Sequence, residues 1–416
     1  MALPEAAELE ALQRRTLTSL RMAQVPGQAA VAGMVAVVTL LARDMLGSDR
    51  LAGAGSAGFT AGAALTMIPL AAYMRRHGRR PGLTRALMVG AVGAAVAAFG
   101  GAIGVFPIFL LGMVAFGSGQ AATLQQRYVA ADLAPAERQA TAIAAIVWIG
   151  TLGAVFGPLL TPFERAAADA LGINELVGPF IFASLFFVIA ATVIRRRLRP
   201  DPLAVIGGID HHAQRTHPIS QLRASASAIR RSPGARLGLA AMALSQAAMV
   251  GVMTMTPPHM DDHGHDSLSA FVIAAHILGM YGLAPVVGRF VTRVGTGRAI
   301  QHGAVVLGAG TISTVLAGYV PVLMFVGLFF LGLGWNIALI GGSTLLTSSV
   351  PISARVEVQG TSDLTMSACG ALAAISSGLL KESFGFHLVA DGAALLAGCI
   401  LLLAWYTMAR FPAALV

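Results

Sequence analysis

Charge is scarce in this sequence. Of 416 residues only 11% are charged, against about a quarter in an ordinary soluble domain. A water-soluble enzyme of this length needs far more polar surface, so that class is excluded. Lysine is almost absent: Lys381 is the only one, and arginine supplies the rest of the 28 basic residues. Cysteine occurs twice, as Cys369 and Cys399, both in apolar surroundings. Two such residues exclude a disulfide scaffold and any CxxC metal or redox motif. Cationic residues are also scarce at the start, where Glu5, Glu8 and Glu10 precede Arg14, so the N-terminus does not read as a cleaved signal peptide.

What is abundant is apolar: 56% of the residues are hydrophobic, and the mean hydropathy is +0.75. A bilayer's hydrocarbon core takes roughly 20 helical residues at about 1.5 Å each, so the uncharged intervals count spans. Arg21 to Arg43 encloses 21 uncharged residues and Arg50 to Arg75 encloses 24. Arg85 to Arg127 encloses 41, enough for two spans folded at Pro107. Two further intervals, ending at Glu164 and Arg195, complete six spans. After a polar gap the series repeats from Arg236 to Arg410, with a 56-residue interval between Arg298 and Arg355 again holding two. The expected fold is all-α: twelve transmembrane helices in two six-helix bundles. The boundaries are a cytoplasmic N-terminal segment 1–22, a first bundle 23–198, a basic cytoplasmic linker 199–235 and a second bundle 236–416. An amphipathic helix is expected near Ile219–Arg231, with His211, His212 and His217 in solvated loop.

Sidedness explains the net charge of +9. With the N-terminus inside and the loops alternating, 24 of the 28 basic residues fall on the cytoplasmic face, leaving Arg43, Arg50, Arg165 and Lys381 outside. Both termini are then cytoplasmic, the partner is a lipid bilayer, and nucleic acid is excluded. The expected location is a bacterial cytoplasmic (inner) membrane, and the protein is expected not to be an enzyme.

Six plus six helices about a basic central loop resemble the major facilitator pattern, whose bundles rock around a midplane site. Arg75-Arg76-His77-Gly78-Arg79-Arg80 resembles that superfamily's loop motif, with Arg75 in place of its aspartate and Ala71 in place of its first glycine. Gly288 to Gly295 repeats it between spans 8 and 9. Span 5 carries Gly150, Gly153, Gly157 and Pro158, a pattern read either as an antiporter-type motif or as small residues that let helices approach closely.

Spans 7 and 8 carry the chemistry. Residues 242–260 hold five of the chain's 17 methionines. Met242, Met249, Met253 and Met260 are spaced by seven, four and seven, so they share a helical face. Met249 and Met253 form MxxxM; His276 and Met280 form HxxxM. With span 7 running outward to an end near Pro257-Pro258 and span 8 running inward, the four side chains overlap in depth. Thioethers and neutral imidazole suit a soft cation, Cu(I) above all, and the lack of a carboxylate suits an ion that must leave again. Methionine also fills apolar cores, whereas an intramembrane histidine reads as functional. His276 and Met280 lie on one helix and cannot take opposite axial positions on one haem iron. The loop after span 7 offers His259, Met260, His263 and His265 as candidates for metal capture at the outer mouth. Asp363, Arg127 and Asp132 are candidates for coupling or gating; for Asp363 a helix N-cap or an Arg355 partner is the alternative. Met366 and Cys369 are further candidates to receive the ion on an inward path.

MxxxM on span 7 with HxxxM on span 8 resembles the CcoA-like copper importers, in which those motifs bind copper. The resemblance implies metal ligation by Met249, Met253, His276 and Met280. It further implies copper uptake by alternating access for maturation of a cbb3-type cytochrome c oxidase, with copper as substrate rather than cofactor and downstream copper chaperones as partners. Relatives of that wider group move riboflavin. A carrier of a small organic substrate, importing a riboflavin-like molecule or exporting drugs against protons, is therefore the alternative, with Trp148, Trp335, Asn336 and Gln120, Gln125 and Gln126 of span 4 as lining.

Overall fold

In lipid every backbone N–H and C=O must be satisfied within the protein, and a helix does this within one segment. The computed structural model accordingly is helical nearly throughout. It describes residues 6–35, 37–47, 53–210, 217–262, 266–317 and 320–412. Sixteen helices follow in order among the described residues. They are α1 (Ala6–Val35), α2 (Val38–Leu46), α3 (Ala54–His77), α4 (Arg79–Ala102), α5 (Phe106–Asp132), α6 (Gln139–Ala170), α7 (Gly178–Arg197), α8 (Pro202–Val205) and α9 (Pro218–Arg231). Then come α10 (Pro233–Asp262), α11 (Asp266–Ile277), α12 (Ala284–Val294), α13 (Thr296–Ala317), α14 (Pro321–Ser348), α15 (Ile352–Phe384) and α16 (Phe386–Arg410).

Eleven helical stretches among the described residues are long and apolar enough to cross a bilayer, the first combining α1 with α2. A twelfth is bent by 45° between Gly282 and Ala284. That bent span is span 8, where a π-helical turn, Leu278–Gly282, joins α11 to α12. The charge-gap count of twelve therefore holds, and the amphipathic helix expected near Ile219–Arg231 is α9.

Two compact units emerge: residues 1–134 with 149–222, and residues 135–148 with 223–416. In the first, α4 packs on α5 and α7, and α1 packs on α7. Glycine sets how closely helices approach. A methyl group at Gly153 would collide with the Val25 carbonyl and lie 2.7 Å from Gln28 Cβ; at Gly157 it would lie 2.7 Å from the Ala29 carbonyl. The Gly150–Gly157 stripe of α6 thus seats α1, which gives the span-5 glycines a packing role. In the second unit α14 is the hub, packing on α10, α11, the π-turn and α13.

Two local expectations need correction. The helix of span 7 does not stop at Pro257-Pro258: α10 runs on to Asp262, so Pro257 to Asp262 is helix rather than loop, although the stretch apolar enough to cross a bilayer does end there, at Thr256. Proline is tolerated there because membrane helices re-satisfy the freed carbonyls through neighbouring groups. Asp363 does not cap a helix either, because α15 starts at Ile352 and Asp363 lies three turns inside it, fully buried.

Replacing Gly153 by valine is expected to cost about 1–3 kcal/mol of stability. The measurement is a thermal melt of the detergent-purified protein; an unchanged Tm would remove the close-approach role of the stripe.

Candidate functional site

Three helices of the second unit bring the predicted metal residues to one level, and α14 serves as the common ruler. On the α10 side, Gly238 lies against Gly342 and Leu346, Met242 against Gly342 and Ser343, and Trp335 Nε1 donates to Gln246 Oε1 at 2.7 Å. The two helices are therefore antiparallel, and helical rise carries Met249 and Met253, one to two turns beyond Gln246, toward the level of the Leu328–Trp335 stretch. On the α11 side, His276 Nδ1 is 2.8 Å from the Leu328 carbonyl. A methyl group at Gly332 would collide with the His276 carbonyl and lie 3.0 Å from the Met280 amide nitrogen. Both pairs, Met249 with Met253 and His276 with Met280, thus sit level with the same two turns of α14.

The histidine is 1% exposed. A carbonyl only accepts, so in the neutral ring Nδ1 carries the proton and Nε2 presents its lone pair. That Nε2 is buried and has no hydrogen-bond partner among the described residues. Met249 and Met280 are buried, and Met253 is half-buried. The π-turn that carries Met280 is an element often found at functional sites, since it shifts side-chain register within a helix. Asn336, one turn beyond Gly332, donates weakly to the Gly279 carbonyl at 3.4 Å and leaves a buried Oδ1 unpartnered. Tyr281 meets Trp335 edge-on at 5.9 Å. The region therefore combines soft donors, a free imidazole nitrogen and a polar-aromatic rim.

Met242, on the same face of α10, is engaged elsewhere. Ser343 Oγ lies 3.2 Å from the Met242 sulfur, and Met260 is buried. The ring of His259 stacks on Phe386 at 4.2 Å. Of the proposed capture group, His259 and Met260 thus belong to helix α10, whereas His263 and His265 lie outside the described residues, as do His211 and His212 of the linker.

Around the arginine-rich turn between α3 and α4 the structure adds two partners that the sequence did not single out, Asp201 and Asp210. Arg79, fully buried, donates from Nε to Asp132 Oδ2 at 2.9 Å and from Nη2 to Oδ1 at 3.3 Å, with Gln125 Oε1 3.4 Å from its Nη1. Arg127 turns instead to the Leu124 carbonyl at 2.9 Å and the Tyr128 hydroxyl at 3.2 Å. Asp201 accepts from the backbone N–H of Arg79 at 3.1 Å and of Arg80 at 2.7 Å, capping α4. Gly78 has φ +98°, and any side chain there would collide with the Asp201 carboxylate. Arg75 pairs with Asp210 at 3.1 Å. The aspartate missing from the loop motif is thus replaced by two aspartates arriving from beyond α7. The sequence Asp201-Pro202 at a helix start was the local sign of this, since Asp is a preferred N-cap and Pro a preferred first residue.

Comparison with known proteins follows from this geometry. Residues 27–374 match the Major Facilitator Superfamily. The chain belongs to the Major Facilitator Superfamily. It is similar to the uncharacterized MFS-type transporter YdeG of Bacillus subtilis (36% identity, covering 89% of this chain and 86% of that one). It is also similar to the riboflavin transporter RfnT of Brucella anthropi (29% identity, 90% and 91% covered). Among solved structures, the human organic anion transporter MFSD10 superposes with a TM-score of 0.75 at 18% identity, covering 94% of this chain and 99% of that one. The superfamily member described here is a multi-pass membrane transporter.

Breaking one side of a buried ion pair strands the other charge, at about 3–5 kcal/mol. Asp132→Asn is therefore expected to lower the Tm sharply. The double variant R79M/D132L is expected to recover most of the loss, and a double variant no better than the single would argue against the pair as the cause.

Proposed function

We propose that this transporter imports copper, as Cu(I), across a bacterial inner membrane by alternating access. The observation that carries the reading is His276: a buried imidazole oriented through Nδ1 by a carbonyl, whose Nε2 has no hydrogen-bond partner among the described residues. Metal-bound histidines are commonly oriented in this way, the second nitrogen donating to a carbonyl or carboxylate. Sulfur and imidazole donors select a soft monovalent ion over Mg²⁺ or Ca²⁺. Met249, Met253, His276 and Met280 are the proposed ligands of the passing ion. His259 and Met260 at the end of α10 remain the proposed mouth, although His259 must leave its stack on Phe386 to bind. Delivery to copper chaperones and to cbb3-type oxidase maturation follows from the resemblance to the copper importers. The inner-membrane location rests on the arginine-rich loops, which mark the cytoplasmic face.

The second reading is a carrier of a flat organic molecule, riboflavin above all. Its support is the Trp335–Gln246 hydrogen bond, the Tyr281–Trp335 contact and the unpartnered Asn336 Oδ1, together with similarity to a riboflavin transporter.

Purified protein in liposomes decides between them. Under reducing conditions the wild type is expected to accumulate copper, and His276→Ala or Met253→Ala to lose at least about tenfold in rate, the lower bound for weakening a metal site. Normal copper uptake by His276→Ala would falsify the metal reading. Riboflavin uptake without copper uptake would establish the second.

A further inference from the structure

The first unit carries a groove of its own. It has a volume of about 340 Å³ and is lined by α3, α4 and α5, from Gly62 and Val114 at one end to Tyr73 and Arg85 at the other. Eleven residues of α3 separate Gly62 from Tyr73, so it runs roughly 16 Å along the span. Its walls behave as hydrocarbon. The aliphatic hydroxyls on them bond to backbone carbonyls, Thr66 Oγ1 to Gly62 at 2.8 Å and Ser118 Oγ to Ala86 at 2.8 Å. Leu65 and Val89, on its rim, are 70% and 51% exposed, which places them against lipid in a bilayer.

The end of this groove nearest the arginine-rich turn is cationic and held in place. The guanidinium of Arg85 lies 4.4 Å from the centre of the Tyr73 ring, a cation–π distance. The same ring stacks with His77 at 4.1 Å and 9°, and His77 Nδ1 is 3.1 Å from the Tyr73 carbonyl. Arg85 itself is exposed and sits less than two turns from the start of α4, the depth of headgroups rather than of chains. Arg75 and Arg79 are engaged with Asp210 and Asp132, so Arg85 is the arginine of this turn that borders the groove.

We propose that this groove is a binding site for an anionic phospholipid, with an acyl chain along α3 and α5 and the headgroup phosphate on Arg85. An apolar channel ending at a fixed guanidinium matches a molecule that is hydrocarbon at one end and phosphate at the other. The site stands independently of which substrate the transporter carries.

The test uses native mass spectrometry of the full-length protein, delipidated in detergent. It is supplied in turn with phosphatidylglycerol and phosphatidylcholine of identical acyl chains. The wild type is expected to retain phosphatidylglycerol about fivefold better, the preference one basic residue near an anionic headgroup confers. Arg85→Gln is expected to bring the ratio close to one, and Val89→Trp, which fills the groove mouth, to reduce retention of both lipids. Glycerol 3-phosphate, which has no chain, is expected not to displace the lipid. Equal retention of the two lipids by the wild type overturns the proposal. So does an unchanged preference in Arg85→Gln, unchanged retention in Val89→Trp, or displacement by glycerol 3-phosphate at the lipid's own concentration.

Discussion

Water is absent from the hydrocarbon core, and every backbone polar group there needs a partner inside the protein. Helices meet that demand, but they then face each other without a hydrophobic driving force between them, since lipid tails are as apolar as their side chains. Association rests on close approach, and close approach rests on glycine. Gly153 and Gly157 let α6 lie on α1, and Gly332 lets α14 lie on the His276 turn. The same small residue that packs two helices in one place brings a backbone up to a buried imidazole in another.

That closeness gives the candidate site its character. His276 is pressed so tightly against α14 that its Nδ1 reaches the Leu328 carbonyl, and its other nitrogen has no partner among the described residues. The π-turn that follows moves Met280 against the same part of α14. Polar groups are few in these helices, so each unpartnered one stands out: Nε2 of His276 and Oδ1 of Asn336 are costly to bury unless a substrate uses them. The arginine-rich turn shows the opposite solution, since Arg79 is wholly buried and fully engaged with Asp132 and Gln125.

The span count and the MxxxM and HxxxM pairs were legible in the sequence, because charge spacing and helical period are local properties. The rise per residue also suggested a shared depth for Met249, Met253, His276 and Met280. The break in span 8 was not, since Leu278-Gly279-Met280-Tyr281-Gly282 has no proline and its π-turn depends on packing against α14. Nor was the extent of α10, where two prolines read as an end yet lie within helix. The partners of the arginines were the least legible: Arg75, Arg79, Arg80 and Arg85 look alike in a row, and only three-dimensional neighbours separate them.

The sparse charge of the chain, by itself, determined a helical membrane protein with twelve spans, because no other arrangement of so few polar groups crosses a bilayer. Only the tertiary structure decided what each remaining polar group does. Arg79 is buried in an ion pair, Arg85 lies over an aromatic ring at a groove mouth, Asp201 caps a helix from 122 residues away, and His276 keeps a free nitrogen. These roles depend on contacts between residues distant in the chain, and helical period carries no information about those.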